Sequence, residues 1–300
     1  MVNPAAGRGR GAKLLPAVRA AFARGPSEIF VTARSSDEQS IAGDAIRKNF
    51  TTIVCVGGDG TCNNVANAIL HAGADVRLGV IPAGTGNDFA RTLGVDRMSA
   101  ESIAEMAFVV GKSRIDVGRI EGRFFLNSCG FGFDVAVLQG LARVRWIGND
   151  MVYIYSALQQ ILGFGGLKMG ISSEATRREA ANHLLVVLAN GSRFGGGLAI
   201  APTATVTDGL IDAVMIRDAS RTRRLRMLAA ASRGTHGRFG EVTTERARRF
   251  TLELDDVPFY EIDGEVHQGA SRLLTVECIP TALRVIARAT PPIADSLPTE

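Results

Sequence analysis

Several things are scarce in this 300-residue chain, and each scarcity excludes a class of function. Its four cysteines, Cys55, Cys62, Cys129 and Cys278, form no CxxC pair, which removes a disulfide framework and a cysteine-built metal centre. His71, His183, His236 and His267 fall in no HExxH spacing and no GxSxG elbow occurs, so zinc and serine hydrolysis have no basis. Aromatics make up 6% of the chain and are not interleaved with the basic residues, which argues against a nucleic-acid module. No apolar run approaches the roughly 20 residues of a membrane-spanning helix; the run at 184–189 is far shorter. The opening Met-Val-Asn-Pro lacks the basic and apolar regions of a signal peptide, so a cytoplasmic protein with reduced thiols is expected.

The chain is rich in aliphatic residues and glycine. An apolar fraction of 46%, charged residues at 21% and 34 aperiodic glycines describe a soluble globular protein, and the length predicts two domains. The net charge of +4 is compatible with phosphorylated substrates or an anionic membrane surface. Short buried strands are predicted at 29–32, 53–56 and 78–81, alternating with helical periodicity at 13–23, 39–48 and 65–72. That alternation predicts a mostly parallel sheet with helices on both faces, a three-layer α/β domain. From about residue 115 short strands follow one another, at 115–120, 124–128, 183–189, 209–216, 249–254 and 273–278. Turns such as Glu121-Gly122, Asp208-Gly209 and Asp263-Gly264 separate several of them, the pattern of an antiparallel β-sandwich. Helical interruptions are expected at 150–162 and 222–232. The division falls at 1–114 and 115–280, with 281–300 supplying a last strand that returns to the first domain and then a frayed tail.

The chemistry concentrates in loops that follow strands. Gly57-Gly58-Asp59-Gly60-Thr61 lies between a strand and a helix, where backbone amides and the helix N-terminus make an anion cradle. An aspartate there makes sense if a divalent cation stands between it and phosphate; an aspartate capping a tight turn is the plainer alternative. Gly84-Thr85-Gly86-Asn87-Asp88 repeats the plan after the next strand. Parallel strands deliver both loops to one sheet edge. A third loop, Asn3-Pro4-Ala5-Ala6-Gly7-Arg8-Gly9-Arg10-Gly11, opens the chain after a strand that reads as clipped, so an upstream start is expected; Arg8 and Arg10 are candidates to reach phosphate. Asp263 and Glu265 form a close carboxylate pair, one suited to take a proton and the other to orient it or a metal.

In order along the chain, NPAAG, GGDGTCN, GTGNDFAR, IDVG, FFLNSCGFGFD, DGLID and IDGE resemble the diacylglycerol kinase catalytic family, and more closely its soluble bacterial lipid kinases of the YegS type, akin to sphingosine kinases. The resemblance spans residues 3 to about 287. It implies an N-terminal α/β nucleotide-binding domain, a C-terminal β-sandwich for the lipid, and ATP with Mg2+ in the cleft between them. Carried over by position, the nucleotide would meet Asn3, Pro4, Gly7, Arg8, Thr32, Gly57, Gly58, Asp59, Gly60, Thr61, Asn63, Asn64, Gly84, Thr85, Gly86 and Asn87. Asp59, Asp88 and Asp116 would form a water-linked catalytic magnesium network, and Asp208, with the backbone oxygens of Thr205 and Leu210, a structural magnesium site. Glu265 would be the active-site residue, with Asp263 beside it as candidate base. Two departures stand out: Asn63-Asn64 where the family usually has Asn-Glu, and Arg8 where a lysine often sits.

The implied function is phosphoryl transfer from ATP to a lipid hydroxyl, diacylglycerol or a related lipid, by a peripheral protein at the inner membrane face, with a sheet-edge homodimer compatible with the fold. The alternatives are an NAD kinase-like transferase, or a weakly active nucleotide- and lipid-binding relative. An apolar stripe including Trp146, Met151, Tyr155 and Leu162 either lines an acyl slot or packs on the sandwich. The Arg-rich start of the 222–232 helix either docks on anionic lipid or is a solvated face.

Overall fold

The computed structural model describes residues 1–34, 37–109, 111, 113–143, 161 and 163–288. The stripe residues at 146–160 and Leu162, and the tail at 291–300, lie outside the described residues.

In the first half, Val2 bridges Val56 on one side and Val31 on the other, both in parallel. The predicted strand at 29–32 is reduced to that bridge, with Val2 donating to the Phe30 carbonyl and accepting from the Thr32 amide. Strand β1 (Thr52–Gly57) pairs in parallel with β2 (Arg77–Pro82). Around them pack α1 (Ala6–Phe22), α2 (Asp37–Arg47), α3 (Asp59–His71), α4 (Asp88–Thr92) and α5 (Ala100–Phe108). The first residues of α1 are not helical: Gly7, Arg8 and Gly9 all have positive φ. Val2, Ile53, Cys55, Val65, Ile69, Leu78, Val80, Phe89 and Ile103 join in one core between sheet and helices.

The second half is antiparallel. It contains β3 (Arg114–Ile120), β4 (Arg123–Phe125), β5 (Ser128–Gly132), α6 (Phe133–Arg143), β6 (Leu167–Ser173), β7 (Arg177–Ala189) and β8 (Ile211–Arg217). Then come α7 (Arg221–Ala231), β9 (Val242–Ala247), β10 (Arg249–Leu254), β11 (Phe259–Ile262), β12 (Glu265–Gln268) and β13 (Leu273–Val285). The strand expected at 124–128 is split into β4 and β5, because the backbone between them turns its amides onto Asp263. Side chains on β7 explain its unbroken apolar run. Val186 and Leu188 enter the core between the sheets with Phe131, Phe250 and Tyr260. Leu185, Val187 and Ala189 enter a second core with α6 and α7, so both faces are covered.

One strand links the halves. β13 runs antiparallel to β10 and β3, bulges between Ile279 and Leu283, then pairs in parallel with β2 through Arg284 and Val285. All four cysteines are buried thiols; Cys55 and Cys62 bring their sulfurs to 3.0 Å between β1 and α3. None of the described helices is long and apolar enough to cross a membrane.

Candidate active site

The sequence places glycine where backbones must meet. A Cβ on Gly84 would stand 2.5 Å from the Gly58 Cα, and one on Gly7 would stand 1.9 Å from the Ala83 carbonyl oxygen. Only residues without side chains let these three loops converge. Asn87 closes its loop on Gly84, accepting from its amide at 2.8 Å and donating to its carbonyl at 2.9 Å. Arg10 donates to the same carbonyl at 2.9 Å, so it binds loop to loop rather than standing open for phosphate. Pro4 accepts from the Ala12 amide, Arg8 is exposed on the opening loop, and Thr85 is exposed at the tip of the second. Thr32, buried, donates its amide to the Val2 carbonyl.

The three expected metal-linked aspartates have different surroundings. Asp59 accepts the Phe89 amide on Oδ1 at 2.9 Å, while its Oδ2 lies 2.9 Å from where a Cβ on Gly86 would stand. That cradle, beside the amides that open α3, fits a magnesium-bound phosphate. Asp88 is buried and already partnered: Oδ1 by Arg91 at 2.8 Å and Oδ2 by the Gly196 amide at 2.8 Å. Burial pushes its carboxyl up, against those two partners. Asp116 is 1% exposed and receives the amides of Gly209 and Thr281, both at 2.7 Å, so it secures the 206–209 turn and the β13 bulge. At the expected structural magnesium site, Asp208 is ion-paired with Arg246, which also reaches Asp212, and its other oxygen accepts the Leu210 amide. The exposed Thr205 hydroxyl meets that of Thr207.

From the second half come two contributions. The Gly195-Gly196-Gly197 loop, all at positive φ, brings its middle amide to Asp88 and its backbone close to Gly86. Nothing in the sequence reading singled it out; three adjacent glycines before a strand-rich region were the available signal. The other contribution is the β11–β12 hairpin, turning through Asp263 (φ 46) and Gly264 (φ 91), a pair suited to that left-handed turn. It divides the carboxylate pair. Asp263 is saturated: Oδ2 accepts from Leu126 N at 2.7 Å and Asn63 Nδ2 at 2.8 Å, and Oδ1 from Asn127 N at 2.9 Å and Ser128 N at 3.1 Å. Burial pushes its carboxyl up to about 6, opposed by those four donors. It anchors the turn, and no oxygen is left over for a substrate proton. Glu265 is exposed and reaches α3: a Cβ on Gly60 would sit 2.9 Å from its Oε1. Loss of hydration in the cleft raises its pKa, the Glu38 carboxylate adds to the rise, and Arg123 opposes it. Asn64 faces α2, accepting from Gln39 at 3.4 Å.

Beneath the hairpin, Asp134 and Glu261 flank Gly130. Both Asp134 oxygens and Glu261 Oε1 are buried with no hydrogen-bond partner among the described residues. Burial raises both carboxyls, Asp134 to about 7.

Known proteins share this family and fold. Residues 1–120 match the diacylglycerol kinase catalytic domain, and residues 127–287 match the YegS C-terminal NAD kinase beta sandwich-like domain. A diacylglycerol kinase of Mycobacterium tuberculosis is 30% identical over 296 residues, covering 95% of this chain and 93% of that one. A Pseudomonas aeruginosa protein named "Probable lipid kinase YegS-like" is 30% identical over 275 residues, covering 90% and 87%. The crystal structure of a diacylglycerol kinase from Bacillus anthracis superposes with a TM-score of 0.70 at 21% identity, over 96% of this chain and 95% of that one. An NAD kinase of Archaeoglobus fulgidus, solved with ATP, shares the fold at a TM-score of 0.51 and 15% identity, over 93% and 88%. With an α/β half carrying converging glycine loops, a β-sandwich reaching into them, and these matches along nearly its whole length, the chain belongs to the diacylglycerol kinase catalytic family.

Proposed function

We propose that the protein transfers the γ-phosphoryl group of ATP to a lipid hydroxyl, with diacylglycerol as the first acceptor to test. The observation that carries the reading is the approach of Glu265, from the sandwich half, to Gly60 at the start of α3. A base and a phosphate cradle from opposite halves meet there, as in-line transfer between two bound substrates requires. Residues 1–114 would hold the nucleotide, along the loops at 3–11, 57–64 and 84–88. Residues 115–280 would hold the acceptor.

Glu265 takes the proton of the attacking hydroxyl; its raised pKa makes it a stronger base than an ordinary glutamate. Asp263 fixes the turn that carries it, and Asn63 ties that turn to α3. Bound magnesium would be held through Asp59 and would supply charge neutralisation on the phosphates. Asp88, held by Gly196 and Arg91, keeps the second glycine loop against the sandwich half. The acceptor is a membrane lipid, so the protein works as a peripheral enzyme at the cytoplasmic membrane face.

The test is incubation with γ-labelled ATP, magnesium and mixed micelles of diacylglycerol, monoacylglycerol, ceramide or sphingoid base, with NAD in a parallel arm. Label in the organic phase, lost in Glu265→Ala and Asp59→Ala, is the expected result. No lipid label under any metal condition would overturn the reading, and label on NAD alone would replace the acceptor.

A further inference from the structure

One buried carboxyl near the glycine loops adds to the raised pKa of Glu265, but that effect does not explain its burial. Glu38, in the first turn of α2, is 3% exposed. Its Oε1 accepts from Asn3 Nδ2 at 3.1 Å, and its Oε2 is buried with no partner among the described residues. Such an orphan oxygen opposes folding, so packing does not account for a glutamate here.

Its effect is on the orientation of two neighbours. A carboxylate offers only acceptors. It therefore fixes the Asn3 side-chain amide with Nδ2, not Oδ1, turned inward; Oδ1 accepts the Ala5 amide at 3.1 Å. The second Nδ2 hydrogen goes to Thr61 Oγ1 at 3.0 Å. Thr61 Oγ1 is thereby an acceptor, and its own hydrogen must be given away elsewhere. No acceptor for it occurs among the described residues. Thr61 is buried, at 7% exposure, with its side chain packed onto Gly57, where a Cβ would stand 2.5 Å from the Thr61 Cβ and 2.7 Å from Oγ1. The hydroxyl belongs to the first turn of α3, whose leading amides have no partner within the helix.

We propose that Glu38 is a positioning residue for the donor nucleotide: through Asn3 it makes the Thr61 hydroxyl an obligatory donor to a phosphate oxygen of a nucleoside triphosphate. Glu38 itself touches no substrate. The proposal rests on the nucleotide reading above.

The test measures binding of a non-hydrolysable ATP analogue with Mg2+ by calorimetry to the full chain, in wild type, Glu38→Gln, Thr61→Val and the double variant. A hydrogen bond to a charged phosphate predicts a loss of about tenfold or more for Thr61→Val. Glu38→Gln, which frees the Asn3 amide to turn over, should weaken binding several-fold and raise KM for ATP more than it lowers kcat. The double variant should bind no worse than Thr61→Val alone, because the two act in series. Thermal unfolding without nucleotide should leave Glu38→Gln at least as stable as wild type. Should that variant misfold, Asn3→Ala breaks the same chain and should show the same non-additivity with Thr61→Val. Additive losses, or unchanged affinity in Glu38→Gln, would overturn the proposal while the nucleotide reading stands. No analogue binding by wild type would overturn both.

Discussion

Replacing Asp263 by asparagine separates an anchoring role from a proton-accepting one. Asparagine tolerates the left-handed backbone at this position, so the turn itself is not strained by the change. The loss is electrostatic and local. Each carboxylate oxygen accepts two hydrogen bonds, and converting one of them to an NH2 group leaves two buried donors facing a donor. At about 1–3 kcal/mol for each unsatisfied buried group, Asp263→Asn should lose roughly 2–6 kcal/mol. For a chain of this size that is a fall in Tm of about 3–10 °C. Glu265→Gln, at an exposed side chain, should stay within about 0.5 kcal/mol of wild type while losing turnover. Scanning calorimetry and urea melts on both variants, beside the lipid-labelling assay, make the comparison. An Asp263→Asn protein that melts within a degree of wild type yet is inactive would make Asp263 the base and refute the anchoring argument.

Other outcomes follow from the same geometry. Gly60→Ala should push aside the Glu265 carboxylate, the flexible end of a side chain, and lower kcat about 100-fold with little change in melting temperature; unaltered kcat would mean Glu265 acts elsewhere. The acid limb of kcat/KM should lie above the ordinary glutamate value near 4.3, activity falling as pH drops through the raised pKa of Glu265. Arg123→Ala should move that limb up and Glu38→Gln should move it down, and a limb fixed in both would remove Glu265 as its source. Asp134 has a folded pKa of about 7, above its unfolded value near 3.9, so its contribution to stability is present below about pH 4 and is lost as pH rises through 7. Asp134→Asn should therefore gain stability at pH 8 by at most on the order of 3–4 kcal/mol and much less at pH 4, and equal changes in urea melts at both pH values would contradict the burial argument.

The parts of this molecule legible in its sequence are those whose causes are local. β1 and β2 are short runs buried by helices on both faces, and apolar content alone marks them. The glycine loops are legible because their backbone geometry demands the residue type that the sequence displays. β9, half-exposed and carrying Thr243, Thr244 and Glu245, has no such mark, and neither does β12. The break between β4 and β5 is set by Asp263, 136 positions from Asn127, so no window of sequence contains its cause. The carboxylates were legible as a set and not in their separate roles. Asp59 keeps an oxygen toward the cradle, whereas Asp88, Asp116 and Asp263 are committed to backbone amides, a distinction made wholly by tertiary neighbours. Glu38 carries no mark in the sequence, and its partners Asn3 and, through it, Thr61 are supplied by the tertiary fold.

The path of β13 bears on how the polypeptide is made. Its final residues lie beside β2, and the backbone continues that course as Ile286 donates to Leu78 and Arg288 to Leu93. Early residues leaving the ribosome thus have an open flank until residues 284–288 have also been made. Truncation shortly before Arg284 would leave that flank uncovered, and a nascent chain stalled there should be far more sensitive to protease than one stalled a few codons later.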